Sequence, residues 1–268
     1  MDHFTPKGGP RLHFEDAGGN GLPVVFQHGL CGDARQPAEI FPHVAAFRRI
    51  TLECRGHGQS EAGPLDEFSI ARFADDVAEM IVALALGPVV IGGISMGAAI
   101  AMRLVVTHPE LIRALIIARP AWATDAAPEN GRPNVEVGEL LAQFPPEEAR
   151  TRFEEGATAK RLAVESPDNL ASLRGFFARQ PTDVTSALLT RIASDGPGVT
   201  AQQLRNLTIP TLVIGHARDA IHPLAMAQDL SRLIPHAQLV EITPKAVDKP
   251  RYVADFQSAL LAFLKGLS

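Results

Sequence analysis

The clearest chemistry in this 268-residue sequence lies in Gly93-Ile94-Ser95-Met96-Gly97. A serine between two glycines, where a strand-like run (GPVVIG, 87–92) meets a helix-like one (96–107), is lifted out of a tight turn at the positive end of the helix. Its hydroxyl is a candidate nucleophile. A second cluster follows the run LPVVFQ (22–27). In His28-Gly29-Leu30 the glycine lets the Leu30 amide point into the same crevice, where with the Met96 amide it could hold a developing oxyanion. His28 reads as a residue of that loop, bordering the substrate rather than carrying a proton. In Arg55-Gly56-His57-Gly58-Gln59-Ser60 the glycines indicate a fixed turn, and His57 is read as structural.

Six short β-rich runs could carry these loops: LPVVFQ (22–27), RRITLE (48–53), GPVVIG (87–92), RALIIA (113–118), TLVIG (211–215) and AQLVEI (237–242). Helical patterns alternate with them, which predicts an α/β fold with a mostly parallel twisted sheet flanked by helices on both faces. Ile70, Phe73, Val77, Ile81 and Leu84 mark one helix face, and Phe256, Leu260, Phe263, Leu264 and Leu267 another. Residues 120–207 break the rhythm with short helical patterns (GELLAQF, PEEARTRFEEG, SPDNLASLRGFF, DVTSALLTRIAS) and no strand. The expected division is a core of 1–119 and 208–268 with a helical lid of 120–207, since an insertion at a strand's C-terminal end lies over the ligand crevice.

Composition narrows the function. The net charge of −5 and the absence of a basic face argue against nucleic acid as a partner. Two cysteines are too few for a disulfide scaffold, and MDHFTPKGGP lacks the features of a signal peptide, so a cytoplasmic location is expected. Met80–Met102 contains no charge and is long enough to cross a bilayer, yet Gly87-Pro88 and the glycines after it predict a strand between two buried helices instead. No membrane association is expected, and the chain is taken as a monomer or homodimer that binds a small-molecule substrate.

On HG at 28–29, RGHGQS at 55–60, GISMG at 93–97, an acid after the penultimate run and a helical insertion after the fourth, the sequence resembles the α/β-hydrolase superfamily along nearly all of the chain outside the insertion. The resemblance implies a Ser–acid–His triad in that chain order, oxyanion amides at Leu30 and Met96, and hydrolysis of an ester, lactone, amide or carbon–carbon bond without cofactor or metal. It carries the acid onto Asp219, four residues before Pro223, with Asp125 in reserve. The alternative for Asp219 is a cap on a helix opening at Pro223. The histidine does not carry over. Counting on from Ile242 and back from Phe256 leads to Ala246-Val247, and an aliphatic side chain cannot take a proton from Ser95. The neighbouring Asp248 could replace a neutral imidazole only with a raised pKa.

The nine histidines stand at 3, 13, 28, 43, 57, 108, 216, 222 and 236. Positions 3, 13, 43, 108 and 236 fall on expected terminal, helical or turn surface, and His216 faces the packing of the sheet. His222 lies three residues after Asp219 on one expected loop, so Asp219 could fix its tautomer while the ring faces Ser95. The competing reading makes His222 a helix cap that lines the pocket or faces solvent. Arg119, at the end of the fourth run, is placed beside Trp122 in the crevice, where its guanidinium either holds a substrate carboxylate or anchors the lid by an ion pair. Cys31 and Cys54 read as small packing residues. Three classes of function follow: a serine hydrolase of a small ester or lactone with an atypical triad of Ser95, Asp219 and His222; a non-hydrolytic lyase or isomerase on the same fold; or a small-molecule binding protein without turnover.

Overall fold

The computed structural model describes residues 2–267. Its sheet has eight strands in the spatial order β1-β2-β4-β3-β5-β6-β7-β8. The strands are β1 (His3–Phe4), β2 (Leu12–Asp16), β3 (Leu22–Gln27), β4 (Phe47–Leu52), β5 (Val89–Ile94), β6 (Ile112–Ala118), β7 (Thr211–Gly215) and β8 (Gln238–Glu241). From β4 to β8 every neighbouring pair is parallel, whereas β1 pairs with β2 and β2 with β4 in antiparallel fashion.

Period-two alternation divides the parallel strands between two cores. Val25, Val89, Ile91, Leu115, Ile117 and Val213 face α2 (Ile70–Ala83), α3 (Met96–Thr107) and α10 (Leu224–Leu233). Val24, Phe26, Val90, Ile116, Leu212 and Ile214 face α1 (Arg35–Ile40) and α11 (Lys249–Lys265). Being buried on both sides, these strands read in the sequence as continuous β-branched runs. The Met80–Met102 stretch resolves into the end of α2, β5 and the first half of α3, and among the described residues no helix is long and apolar enough to cross a membrane.

The edge pair β1–β2 was not expected. His3 and His13 lie on these strands, paired with each other in register, rather than on terminal or turn surface. β2 is an edge ribbon whose Leu12 and Phe14 point inward while His13 and Glu15 point away, a pattern too short to stand out against its neighbours.

Between β6 and β7 come six helices: α4 (Arg132–Gln143), α5 (Pro146–Glu155), α6 (Ala157–Glu165), α7 (Pro167–Phe176), α8 (Thr182–Ala193) and α9 (Ala201–Arg205). α4 to α8 bury a core of their own, centred on Val137, Phe153, Leu162, Leu173 and Leu189. Trp122 and Asp195 tie the ends of this segment together, the indole N–H donating to the Asp195 carbonyl at 2.8 Å.

Two buried imidazoles fix the loops after β3 and β4. His28 Nε2 accepts from the Cys54 amide at 3.1 Å and His57 Nε2 from the Cys31 amide at 3.0 Å. Each ring is therefore neutral, with its proton on Nδ1, where the Gly29 and Arg55 carbonyls accept it at 2.9 Å. Burial is the main cause that pushes both rings below the ordinary histidine value of 6.5, His57 well below it. The unfolded chain then binds more protons than the folded one as soon as the pH drops under 6.5, so stability is lost on acidification, each ring contributing up to about 1.4 kcal/mol per pH unit. Urea-unfolding midpoints should hold steady from about pH 8 to 7 and fall from about pH 6.5 downward; a midpoint unchanged to about pH 5 would contradict this role.

Candidate active site

Ser95 connects β5 to α3 with φ 56° and ψ −111°, a left-handed conformation costly for a side-chain-bearing residue. The surroundings hold it there. Its amide donates to the Ala118 carbonyl at 3.0 Å, and α3 lies so close to β3 that a Cβ on Gly97 would sit 2.5 Å from the Gln27 carbonyl oxygen. A Cβ on Gly93 would meet the Gly97 backbone at 2.5 Å, so both glycines are required by close approach. The Ser95 side chain makes no capping bond to α3, and Ser95 lines a cavity.

The loop after β3 is fastened residue by residue around Leu30. The Gly29 amide donates to Gln36 Oε1 at 2.6 Å, the Cys31 amide to His57 and the Gly32 amide to the Gly29 carbonyl at 2.9 Å. The Leu30 and Met96 amides take part in none of the backbone bonds outside regular elements, and Leu30 and Ser95 border the same space. His28 does not border it. It is fully buried behind the loop, so the expectation that it touches substrate is corrected: both its nitrogens serve the backbone. Burial pushes the Cys31 thiol up to about 12 and the Cys54 thiol well above its ordinary value, which disfavours a reactive thiolate at either.

On the other side of Ser95, the loop after β7 presents Asp219, Ile221 and His222. Asp219 is buried, and five groups surround its carboxylate. Arg119 donates from Nε at 3.0 Å and Nη2 at 2.6 Å to Oδ2; Asn169 Nδ2 donates to Oδ1 at 3.0 Å; the His222 amide donates to Oδ1 at 3.0 Å. His222 Nδ1 lies 2.9 and 3.0 Å from the two oxygens, and His216 Nε2 lies 3.5 Å from Oδ2. Asp219 does not cap α10, whose first turn receives no side-chain cap. Asp125 is exposed and does not line the cavity bordered by Ser95 and His222.

Burial alone would raise the Asp219 carboxyl, but the hydrogen-bonding His222 beside it and the charge of Arg119 hold it well below the usual carboxylate range. With Arg119 supplying a permanent counter-charge, His222 stays neutral: burial first, and Arg119 with it, lower the ring below 6.5 against the pull of Asp219. Nδ1 faces both the Asp219 carboxylate at 2.9 Å and Arg119 Nη2 at 3.3 Å; the shorter, charge-assisted contact to the carboxylate favours the proton on Nδ1, with Nε2 as the acceptor. His216 donates from Nδ1 to the Ala217 carbonyl at 2.7 Å and packs edge-on against Tyr252, away from the cavity.

Ser95 and His222 line one polar cavity of about 120 Å³ with Leu30, Arg119, Asn169 and Lys245. Among the described residues no hydrogen bond joins Ser95 Oγ to His222, although both line this cavity. Arg119 borders this space, but its guanidinium is engaged by Asp219 and, at 3.3 Å, by the Tyr252 hydroxyl. It therefore pairs within the core, and neither grips the helical segment nor stands free for a substrate. Trp122 is corrected as well: it is 2% exposed, packs in the main core and lines no part of the cavity, because its indole turns toward Asp195.

Val247, the residue to which the histidine count leads, is 59% exposed on a turn after β8. Lys245, two residues earlier, is the side chain of that turn that reaches the cavity. Sequence reasoning missed Lys245, Asn169 and Tyr252. A larger groove of about 540 Å³, bordered by Glu129, Arg132, Glu136 and Arg161, touches neither Ser95 nor His222. Among the described residues no group of three or more His, Cys, Asp or Glu side chains is placed to hold a metal ion.

The model of the alpha/beta hydrolase fold family matches residues 23–246. The chain is 30% identical over 234 residues to the Mycobacterium tuberculosis protein named "Putative non-heme bromoperoxidase BpoC", covering 85% of this chain and 87% of that one. Among solved structures, a thermophilic esterase from Thermogutta terrifontis superimposes with a TM-score of 0.76 at 24% identity, covering 100% of this chain and 97% of its own. The enol-lactonase from Burkholderia xenovorans gives 0.73 at 23% identity, covering 98% and 99%. A sheet whose fifth strand turns through a strained serine into a helix, matched along most of the sequence by the family model, places this chain in the alpha/beta hydrolase fold family.

Proposed function

We propose that the protein is a serine hydrolase of a small carboxylic ester or lactone, with Ser95 as nucleophile, His222 as base and Asp219 as the acid that orients it. The observation that carries this reading is the hydrogen bond from His222 Nδ1 to the buried Asp219, in a cavity that Ser95 shares. His222 Nε2 takes the Ser95 proton as Oγ attacks the carbonyl carbon, and the Leu30 and Met96 amides stabilise the oxyanion. The imidazolium then returns the proton to the leaving oxygen. Water, activated by the same ring, hydrolyses the acyl-enzyme.

The chain order Ser–acid–His is kept, with the base moved onto the acid's own loop. The size of the cavity favours small substrates: a 150 Å³ protein cavity holds a benzene, so about 120 Å³ beside Ser95 admits an acyl group of only a few heavy atoms. The esterase and enol-lactonase named above fit this class. Residues 120–207 serve as a lid, with α7 forming one wall of the cavity.

A fluorophosphonate probe should label the wild type at Ser95 and leave Ser95→Ala unlabelled, while His222→Ala slows labelling by about 10²- to 10⁴-fold. Labelling of His222→Ala at the wild-type rate would remove His222 as base, and an unreactive wild type would favour a binding protein or non-hydrolytic chemistry. Because His222 must be neutral to act and its pKa is lowered, kcat/KM for phenyl acetate should stay level as the pH falls through 6.5 and decline only at lower pH. A decline centred above 6.5 would show that another group controls the reaction.

A further inference from the structure

We infer that Asn169, assisted by Ser166, is a positioning residue that holds the Asp219–His222 pair in place from the lid. The inference rests on the roles of Asp219 and His222 proposed above.

Ser166 and Asn169 occupy the N-cap and third helical position of α7, where short polar side chains ordinarily bond the amides of their own helix. Here neither does. Ser166 makes no capping bond; its Oγ donates to the Arg218 carbonyl at 3.2 Å and accepts from the Ala220 amide at 3.0 Å. Asn169 is 5% exposed, and its Oδ1 accepts from the amides of Ala220 at 2.8 Å and Ile221 at 3.2 Å while its Nδ2 donates to Asp219 Oδ1 at 3.0 Å. Two side chains of one helix turn thus bind every residue of the loop from Arg218 to Ile221.

The loop needs such support. Arg218 stands at φ 61°, a conformation that an unaided loop would relax, and Asp219 and His222 are separated by only three residues. A shift of about 1 Å between base and nucleophile can lower a rate by about 10²-fold. α7 also lines the cavity through Ser172, Leu173 and Phe176, so the helix that meets the substrate is the helix that sets the acid and base. The first turn of α7 therefore joins the lid to the loop that carries Asp219 and His222.

The test uses fluorophosphonate labelling followed to completion, with steady-state turnover of phenyl acetate, on Asn169→Ala, Ser166→Ala and His222→Ala. Asn169→Ala is expected to reach one label per chain, as wild type does, but about 10- to 100-fold more slowly, with kcat reduced in proportion and KM within about twofold. A wild-type labelling rate in Asn169→Ala, with His222→Ala slow, would overturn the inference and leave the reading of the site intact. A wild-type rate in His222→Ala would overturn that reading instead. If Asn169→Ala labels to less than one per chain it has lost its fold, and Ser166→Ala then decides: it removes two bonds to the loop without touching Asp219, and full labelling about threefold slower supports the inference, whereas an unchanged rate refutes it.

Discussion

The ion pair between Arg119 and Asp219 is the contact on which the site depends. A carboxylate buried as deeply as Asp219 would be neutral without a charge beside it, and a neutral acid is a weaker acceptor for an imidazole N–H and cannot stabilise an imidazolium. Arg119 answers this with two hydrogen bonds to one oxygen, leaving the other for His222 and Asn169. The pair joins the ends of β6 and β7, so the sheet itself fixes the acid. Since the guanidinium already balances the carboxylate, His222 has no need to become charged, which suits the proposed role of the ring as base.

Three strained residues meet around the same point. Ser95, Arg119 and Arg218 all adopt positive φ without being glycine, and each such residue costs about 1–3 kcal/mol. They are held by specific contacts: Ser95 by the Ala118 carbonyl, Arg119 by the Ile214 carbonyl at 2.7 Å, and Arg218 by Ser166. Each places a side chain or carbonyl where an ordinary turn would not. The packed strands on either side supply the stability that allows it.

What could be read from the sequence follows from which interactions are local. The central strands β3, β5, β6 and β7 were legible because strands covered on both faces must be continuous apolar runs, whereas β1 and β2, at the antiparallel edge, carry too little pattern to register. Ser95, Leu30 and Met96 are set by turns a few residues long, and once the family resemblance had pointed to Asp219, its spacing to His222 put both on one loop. Asn169 reaches Asp219 across 50 positions and Arg119 reaches it across 100, and no local pattern records such partners. Trp122 and His28 were misplaced for a related reason: lying at a strand end does not say which way a side chain turns. Val247 marked where a base was to be looked for, but the turn it belongs to sends Lys245, not Val247, toward the cavity.

The most direct measurement of the central claim is the protonation of the His222 ring in the resting enzyme, read from its two ¹⁵N resonances with the other histidines assigned by single substitution. At about pH 7, a neutral ring with its proton on Nδ1 toward Asp219 and a bare Nε2 toward the Ser95 cavity is the expected result. A proton on Nε2, or a ring protonated on both nitrogens, would contradict it.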